Sequence, residues 1–432
     1  MKGEKQLAGM AEELKAKLTL CPASEKTLGG RSTTKSLVNG HAATAVYTIL
    51  SRSDRRQHGI FFSGDEWAKK ITQHIPTGNW QRYIDPSAGV GDLLLEICKT
   101  FPLGDSFSAT QLAWSKLLSA NDLRLSFIEI AWTRIQALAV SRHQLRGDDL
   151  NIDSLIEMPP SFQTGDTLSK RTSFLTGDCL VMNPPFQRIK TPPDSAIGTG
   201  LYSAAALHLE RIIAQAEPGV GIVALVPDVL RSGSSYKKFR ALLNSKLDIR
   251  EFIPLGRFGA SADVDVSLIS GITSKARTVT SSRGTESFKS THNIGENFKV
   301  RVGSVVPHRT SSAKSKLGYI NVKNTPAWAE LERIETKASY LATAEQGPFV
   351  VIRRTSSPSD KERARATVIN TKEMVLVENH FIICKPLSGL ISDCRKLVAN
   401  LKDKRTNQWL NQRIRCRHLT VSAVSELPWW ED

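Results

Sequence analysis

The chain has 432 residues, 40% of them hydrophobic and 23% charged, which is typical of globular proteins and excludes global disorder. No apolar run is long enough for a membrane span, and the first residues lack the apolar core of a signal peptide, so we expect a cytoplasmic protein. The formal net charge of +16 favours a polyanion, most often nucleic acid, as partner.

The cysteines do not form a metal or disulfide pattern. Six are scattered along the chain without a Cys-x-x-Cys pair. This spacing argues against zinc and against a disulfide framework. We therefore expect a reduced protein that needs no metal.

Three segments differ in composition, and we interpret them as domains. Residues 1–56 have helical spacing and are predicted to form a helical N-terminal arm that packs on the main domain. Residues 57–275 alternate predicted strands and helices, which indicates an α/β domain with a doubly wound, mainly parallel, Rossmann-like sheet. Residues 276–432 contain short β-like runs, polar loops and a basic helix, so we expect a mixed α+β domain there.

The first motif of the α/β segment is His58–Ala68, in which Gly59 and Gly64 bracket two aromatic residues. A helix that starts at Glu66 with a polar cap explains much of this pattern. A loop that contacts a ligand is the alternative interpretation.

The second motif, Tyr83–Glu96, is predicted to be a strand end, a tight glycine turn and a helix start. Gly89 and Gly91 allow the backbone to approach a ligand closely. Asp85 stands at the carboxyl end of the strand, where ligands of open α/β sheets bind. A carboxylate at this position suits a ligand with a cationic amine and ribose hydroxyls better than a pyrophosphate.

Two further acids follow predicted turns or strand ends. Leu125–Ile130 is predicted to be the second strand, and Glu129 at its end fits the hydroxyls of a ribose. Phe162–Leu168 offers Asp166 at a turn, where it could accept a hydrogen bond from an adenine amino group. Two other acids compete for that role, Asp148 and Asp178.

The third motif ends an apolar run with Asn183, Pro184, Pro185 and Phe186. Successive prolines stiffen the backbone and leave its carbonyls free. The asparagine adds an amide, and the phenylalanine adds a flat apolar face. Together these groups could hold a planar group that carries an amine, although an Asn-Pro turn with a core phenylalanine explains the motif equally well when it is taken alone.

After this motif, Gln187–Gly200 is predicted to be an irregular loop and a candidate lid. Strands and helices then alternate as far as a last strand, Val264–Ile272. Thr273–Asn297, rich in serine and threonine, is predicted to be a linker.

The last 159 residues hold 27 Lys and Arg against 15 Asp and Glu, an excess of 12 positive charges. We expect phosphate contacts from about half of the basic clusters in this segment. These clusters are Arg353 with Arg354, Lys361, Arg363, Arg365, Lys404 with Arg405, and Arg413, Arg415 and Arg417.

In this order the motifs resemble those of S-adenosylmethionine-dependent, adenine-N6 DNA methyltransferases, and in particular the gamma class of amino-methyltransferases of restriction-modification systems. In that family the cofactor turn reads Asp-Pro-Ala-Cys-Gly-x-Gly, where this chain has Ser87-Ala88 in place of Ala-Cys. The first motif matches up to Gly64, where the family usually has proline.

The resemblance implies a site. Glu129 would hold the ribose of the cofactor and Asp166 its adenine. The methionine part would lie against Phe61, Phe62, Ser63, Ser87, Ala88, Gly89, Gly91 and Asp92, with Asp85 beside them. Asn183 to Phe186 would hold an adenine flipped out of duplex DNA, and Phe258 is a weaker candidate for the opposite face of that base. A cognate restriction endonuclease is a candidate partner.

Two alternatives remain open. A methyltransferase acting on guanine N2 of ribosomal RNA or on a protein glutamine would share a motif like Asn183 to Phe186, which we call the clamp, but these families usually lack a long basic domain after the catalytic half. A non-catalytic DNA-binding subunit with a methyltransferase fold is the other alternative, and the intact Asp85, Gly89, Gly91 and Asn183 count against it.

Overall fold

The computed structural model describes residues 2–19, 37–39, 41–148, 150, 155–258, 264–275, 292–414 and 418–430. The chain divides into two compact units, which we call the first unit (Met1–Arg231 with Tyr236–Gly284) and the second unit (Ser232–Ser235 with Thr285–Asp432). The roles expected for the arm, the catalytic domain and the recognition domain stay predictions.

Helices form the described part of the N-terminal segment, as its helical spacing predicts. They are α1 (Lys2–Thr19), α2 (His41–Ile49) and α3 (Arg52–His58). Leu7 and Val46 from these helices share a buried apolar cluster with Val90 and Phe127 of the main body, so the helices are anchored by apolar burial. None of the helices in the described ranges has the length and apolar character that crossing a bilayer requires.

A seven-stranded sheet organises the first unit, with strand order β3-β2-β1-β4-β7-β9-β8. The strands of this unit are β1 (Arg82–Asp85), β2 (Leu118–Asp122), β3 (Phe162–Thr164), β4 (Asp178–Met182), β5 (Arg188–Lys190), β6 (Leu201–Ser203), β7 (Gly221–Pro227), β8 (Leu247–Arg257) and β9 (Asp265–Thr273). The helices that follow in chain order are α4 (Gly64–Thr72), α5 (Asp92–Cys98), α6 (Phe107–Leu117), α7 (Leu125–Arg146), α8 (Ala204–Gln215), α9 (Val229–Ser232) and α10 (Lys237–Lys246).

The strand order explains where a ligand can bind. Strand β1 pairs in parallel with β2 on one side and with β4 on the other, and β4 continues in parallel to β7. Strand β9 runs antiparallel to both of its neighbours, β7 and β8. The chain therefore reverses its direction of winding between β1 and β4, and ligands of open α/β sheets bind at such a switch point, beyond the carboxyl ends of the strands. The predicted fold class, a doubly wound Rossmann-like sheet followed by an α+β segment, is confirmed.

Burial on both faces explains why the central strands read as continuous apolar runs. Every residue of β4 and of β7 is buried. One apolar layer includes residues of α5, α6 and α7, and a second layer includes residues of α8 and α10. A strand covered by helices on both sides has no solvent face that would call for polar residues.

The prediction of a strand over Leu125–Ile130 is wrong. This run is the first part of the long helix α7, and the second strand of the sheet is Leu118–Asp122, directly before it. Apolar residues lie all round the first turns of α7, so the helix shows no amphipathic stripe, and a short apolar run of this kind cannot be told from a strand by periodicity. Strand β2 is short and partly polar, so its sequence lacks the apolar run or alternation that would predict a strand.

The prediction that Gln187–Gly200 is wholly irregular is also wrong. Arg188–Lys190 and Leu201–Ser203 pair as an antiparallel hairpin. The two prolines of the segment lie in the connection between these strands, where no ladder hydrogen bond is needed.

The second unit contains two sheets, with strand orders β10-β18-β15-β16-β12 and β13-β11-β17-β14. Its strands are β10 (Phe298–Val302), β11 (Leu317–Ile320), β12 (Glu330–Leu331), β13 (Lys337–Ala338), β14 (Glu345–Gln346), β15 (Phe349–Arg353), β16 (Ala366–Ile369), β17 (Met374–Val377) and β18 (Phe381–Pro386). Its helices are α11 (Ile294–Asn297), α12 (Ile391–Lys402), α13 (Lys404–Arg413) and α14 (Val421–Ser425). The predicted basic helix, expected from about Ile391 to Lys404, is present as α12 and ends at Lys402, because Asp403 caps the next helix by accepting the backbone N–H of Arg405.

Candidate active site

A cavity of about 470 Å³ joins the glycine turn after β1 to the Asn-Pro-Pro motif after β4. Asp85 and Gly89 line it from the first motif, and Asn183 and Pro185 line it from the second. The two motifs are 98 positions apart in the sequence between Asp85 and Asn183, and they meet because β1 and β4 are neighbouring parallel strands.

The glycine turn has a shape that only glycine allows. Gly89 and Gly91 have φ angles of 53° and 82°, in the left-handed region. A Cβ on Gly91 would lie 2.7 Å from the Cβ of Ala131 in α7. The turn therefore needs glycine for its conformation and for the close packing of α7.

A buried ion pair fixes the start of α5 to the first motif. The Asp92 carboxylate accepts a hydrogen bond from Arg134 at 2.7 Å and another from the backbone N–H of Gly64 at 2.8 Å. Arg134 also donates to the carbonyls of Leu37 and Val90. Both carboxylate oxygens of Asp92 are thus engaged within the protein, although the residue lines the cavity.

The side chain of Asn183 is oriented by the first motif. Its Nδ2 donates to the carbonyl of Phe61 at 3.2 Å and to Oγ of Ser63 at 3.1 Å. Because the amide nitrogen is used in this way, the oxygen Oδ1 is left as an acceptor, and it has no protein partner in the described part of the chain. The ring of Phe61 lies nearly parallel to that of Phe186, at 6.3 Å between centroids.

The acid at the end of the second strand is Asp122, which the sequence did not single out. Its carboxylate accepts the backbone N–H of Gly89 at 2.9 Å and that of Arg124 at 3.1 Å, and it lines the cavity. Burial raises the pKa of Asp122, and these backbone donors oppose the shift. Glu129, the predicted strand-end acid, lies instead in α7 outside the cavity lining, where burial raises its pKa and Lys15 lowers it.

Two other cavity acids differ in their surroundings. Asp85 is 1% exposed and accepts the backbone N–H of Ser87, and burial raises its pKa to about 8. Asp166 accepts hydrogen bonds from the backbone of Leu168 and from the hydroxyl of Ser169. Its competitors lie elsewhere: the described contacts of Asp148 are with His143 and Arg146, and Asp178 pairs with Arg82.

Most of the predicted site residues meet at the cavity. Those that line it are Phe61, Phe62, Ser63, Asp85, Ser87, Ala88, Gly89, Asp92, Asp166, Asn183 and Pro185. Five predicted residues of this site are outside the lining: Gly91, Glu129, Pro184, Phe186 and Phe258. Sequence reasoning missed Glu4, Asp122, Leu123, Arg124, Gln187 and His208. Only Asp122 carried a signal that a better strand assignment would have exposed.

Phe258 is buried rather than open to a ligand. It is 4% exposed, and its ring packs edge-on against Trp67 and Phe186 at 4.9 and 5.7 Å between centroids. The structure therefore places Phe258 behind Phe186, and it does not line the cavity.

Several predicted phosphate contacts of the second unit have partners inside that unit. Arg353 donates to the carbonyl of Thr325, Arg354 to that of Asn379, and Arg413 pairs with Glu426. Arg363, at 1% exposure, is buried and donates to the carbonyls of Leu410 and Ile414, so this member of the predicted clusters is not open to phosphate. Arg415 and Arg417 lie outside the described residues.

A metal site finds no support in the described ranges. No group of three or more His, Cys, Asp or Glu side chains there could hold an ion.

Neither a protein-family model nor a curated protein matches the chain. Among solved structures, the fold is similar to that of a restriction-modification enzyme. The type IIL restriction-modification enzyme MmeI, solved in complex with DNA, is 10% identical, with a TM-score of 0.56 over 88% of this chain and 69% of MmeI. At this identity the likeness shows a shared fold.

Two further similarities are weaker. The type IIG restriction endonuclease BpuSI is 14% identical, with a TM-score of 0.43 over 90% of this chain and 61% of its own. The methyltransferase subunit of a type I restriction-modification system from Streptococcus thermophilus is 19% identical, with a TM-score of 0.33 over 50% of this chain and 45% of its own. The chain thus spans less than two thirds of the length of these two proteins.

Proposed function

We propose that the protein is a DNA methyltransferase of a restriction-modification system, which transfers a methyl group from S-adenosylmethionine to N6 of an adenine flipped out of duplex DNA. The observation that carries this proposal is the orientation of Asn183. Its amide nitrogen is held by Phe61 and Ser63, so that its oxygen is an acceptor in the cavity that the glycine turn also lines.

The residues of the cavity fit this cofactor. Among the charged residues of the lining, the acids outnumber the one arginine, Arg124, which favours a ligand with a cationic amine and a sulfonium over one with phosphates. Asp122 would hold the ribose hydroxyls, Asp166 the adenine amine, and the backbone from Ser87 to Gly89, with the first motif, the methionine part. When bound, S-adenosylmethionine supplies a methyl group on a good leaving group.

The clamp prepares a poor nucleophile. The lone pair of an adenine amino group is delocalised into the ring, so the nitrogen must become pyramidal to react. The oxygen of Asn183 and the carbonyl of Pro184 would accept hydrogen bonds from its two N–H groups and stabilise the positive charge that develops on the nitrogen, until one of these protons passes to water after methyl transfer. Both acceptors are held before the substrate arrives, because Asn183 is bonded to the first motif and two prolines stiffen the backbone.

Duplex DNA is the substrate that the charge distribution favours. The excess of 12 positive charges in the last 159 residues suits a polyanion, and MmeI, which shares the fold, was solved with DNA. A base inside a duplex cannot reach the cavity, so the adenine must flip out at a cost of a few kcal/mol. Stacking of the flipped adenine on the ring of Phe186 would offset part of this free energy. Residues 57–275 would be the catalytic domain, 276–432 the recognition domain, and a cognate endonuclease a partner.

Transfer of a tritiated methyl group tests the proposal. We expect label on adenine N6 of duplex DNA. Asn183→Ala should reduce the rate about a hundredfold or more, the effect of removing one preorganised acceptor, while cofactor binding persists. Asn244→Ala, on α10 and outside the cavity lining, is the matched control and should keep full activity.

The other outcomes separate the alternatives. Label only on RNA or on protein would support a methyltransferase of another substrate class. Absence of label despite DNA binding would support a non-catalytic subunit. Full activity of Asn183→Ala would refute the role of the clamp.

A further inference from the structure

His208 is a cavity residue that has no hydrogen-bond partner among the described residues, and no sequence motif includes it. It lies in the second turn of α8, lines the cavity and is 8% exposed. Its Nδ1 is fully buried and has no hydrogen-bond partner in the described ranges. Nδ1 is closed to solvent, so a ligand in the cavity reaches the part of the ring that stays exposed, and a hydrogen bond there would offset some of the cost of burying this polar side chain.

The imidazole of His208 is neutral at physiological pH. Burial lowers its pKa to about 4, although the nearby carboxylate of Asp166 acts in the opposite direction. A neutral imidazole has one donor nitrogen and one acceptor nitrogen. It can therefore bond to the polar edge of an uncharged ring without requiring an anion.

The position of His208 relates it to both halves of the site. It lies one helical turn after Ala204, on the same face of α8, and Ala204 donates its backbone N–H to the carbonyl of Gln187 at 2.8 Å. Gln187 follows Phe186 directly, so the chain that leaves the clamp fixes the start of α8. Asp166 lines the same cavity from the turn after β3.

We propose that His208 is a specificity-determining residue, which hydrogen-bonds a ring nitrogen of the cofactor's adenine while Asp166 accepts the amino group. This inference rests on the proposed function. A ring-nitrogen contact together with an acceptor for the amine distinguishes adenine from purines with a 6-oxo group, because these carry neither the amine nor the same pattern of ring protons.

Calorimetric binding of S-adenosylhomocysteine and its 1-deaza, 3-deaza and 7-deaza analogues to the full chain tests the inference. Each analogue replaces one ring nitrogen by a C–H group. We expect the wild-type protein to bind one of them about tenfold more weakly than S-adenosylhomocysteine. His208→Phe should bind S-adenosylhomocysteine about tenfold more weakly and lose the discrimination against that analogue.

Two amide variants identify the nitrogen involved. The amide of His208→Asn lies near the position of Nδ1, and that of His208→Gln near the position of Nε2, so one variant should retain the discrimination and the other lose it. His143→Phe is the matched control. His143 is buried in the same unit, but Thr110 and Asp148 bond its two nitrogens, so its loss should lower stability and leave the ratio of affinities unchanged.

Each failure has a separate signature. A folded His208→Phe variant that keeps the wild-type ratio of affinities overturns the role of His208 alone. If that variant does not fold, two amide variants that both discriminate like the wild type overturn it equally. A wild-type protein that does not bind S-adenosylhomocysteine overturns the proposed function and this inference together.

Discussion

The ion pair between Asp92 and Arg134 is the interaction on which we expect the first unit to depend most. The side chains of Arg134 and Asp92 are 0% and 5% exposed. Asp92→Asn keeps the shape of the side chain and removes its charge, so an uncompensated guanidinium stays buried. Breaking one half of a buried pair costs about 3–5 kcal/mol. Because whole domains are stable by only about 5–15 kcal/mol, this loss is large.

Hydrogen exchange in the full chain measures this loss where it occurs. We expect the slowest amides of α7, the helix that carries Arg134, to exchange faster in Asp92→Asn by a factor that corresponds to about 3–5 kcal/mol. The matched control is Glu66→Gln, which removes the charge of an exposed pair with Lys70 in α4 and should cost less than about 1 kcal/mol.

A second comparison separates the charge from the packing. In the double variant Asp92→Leu with Arg134→Met, no charge remains buried, and much of the stability should return. A change below about 1 kcal/mol in Asp92→Asn would refute the reasoning, because the charge would then contribute no more than an exposed one. A double variant as unstable as Asp92→Asn would show that the backbone bonds of Arg134 matter more than its charge.

Three further predictions follow from the site. Gly91→Ala should unfold at a lower urea concentration than Gly147→Ala. Both glycines have a positive φ, which costs an alanine about 1–2 kcal/mol, but only at Gly91 does the new Cβ also meet Ala131. Equal urea midpoints for the two variants would contradict this prediction. Burial raises the pKa of Asp85 to about 8, so the folded state binds this proton more tightly than the unfolded state does. The stability that results is lost as pH rises from about 4 through 8, because the carboxyl group must then ionise in its buried position. Urea unfolding at pH 6 and pH 9 should thus show a smaller loss in Asp85→Asn than in the wild type, and equal losses would show that Asp85 is not responsible. Asp122→Asn should weaken the binding of S-adenosylhomocysteine about tenfold in calorimetry, because a carboxylate accepts hydrogen bonds from ribose hydroxyls more strongly than an amide does. An unchanged affinity would show that Asp122 does not bind the ribose.

Turn chemistry made the two central motifs predictable. The glycines after β1 and the prolines after β4 have few conformational alternatives, so their positions at strand ends could be inferred without a structure. The long apolar runs of β4 and β7 predicted strands that are buried on both faces, and therefore a mainly parallel α/β sheet. These features are local in sequence, and local features are the ones that patterns reveal.

Contacts between distant segments were not predictable. Asp122 ends a strand whose residues are small or polar, and the apolar run that follows it gave the stronger strand signal although it is helical. His208 sits in an ordinary helix, and only the folded sheet brings it to the cavity. The burial of Arg363 inside a basic segment was likewise invisible, because its charge alone predicts a surface position.

The pairing of β1 with β4 has a consequence for how the protein is made. Arg82 pairs with Asp178, so the central pair of strands cannot form on the ribosome until nearly a hundred further residues have been synthesised. Strands β8 and β9 are adjacent in sequence, so they can pair as a hairpin as soon as both have been synthesised. A nascent chain that ends before β4 therefore has the glycine turn and its neighbour β2 but lacks the strand that carries Asn183, so the cavity is completed late in translation.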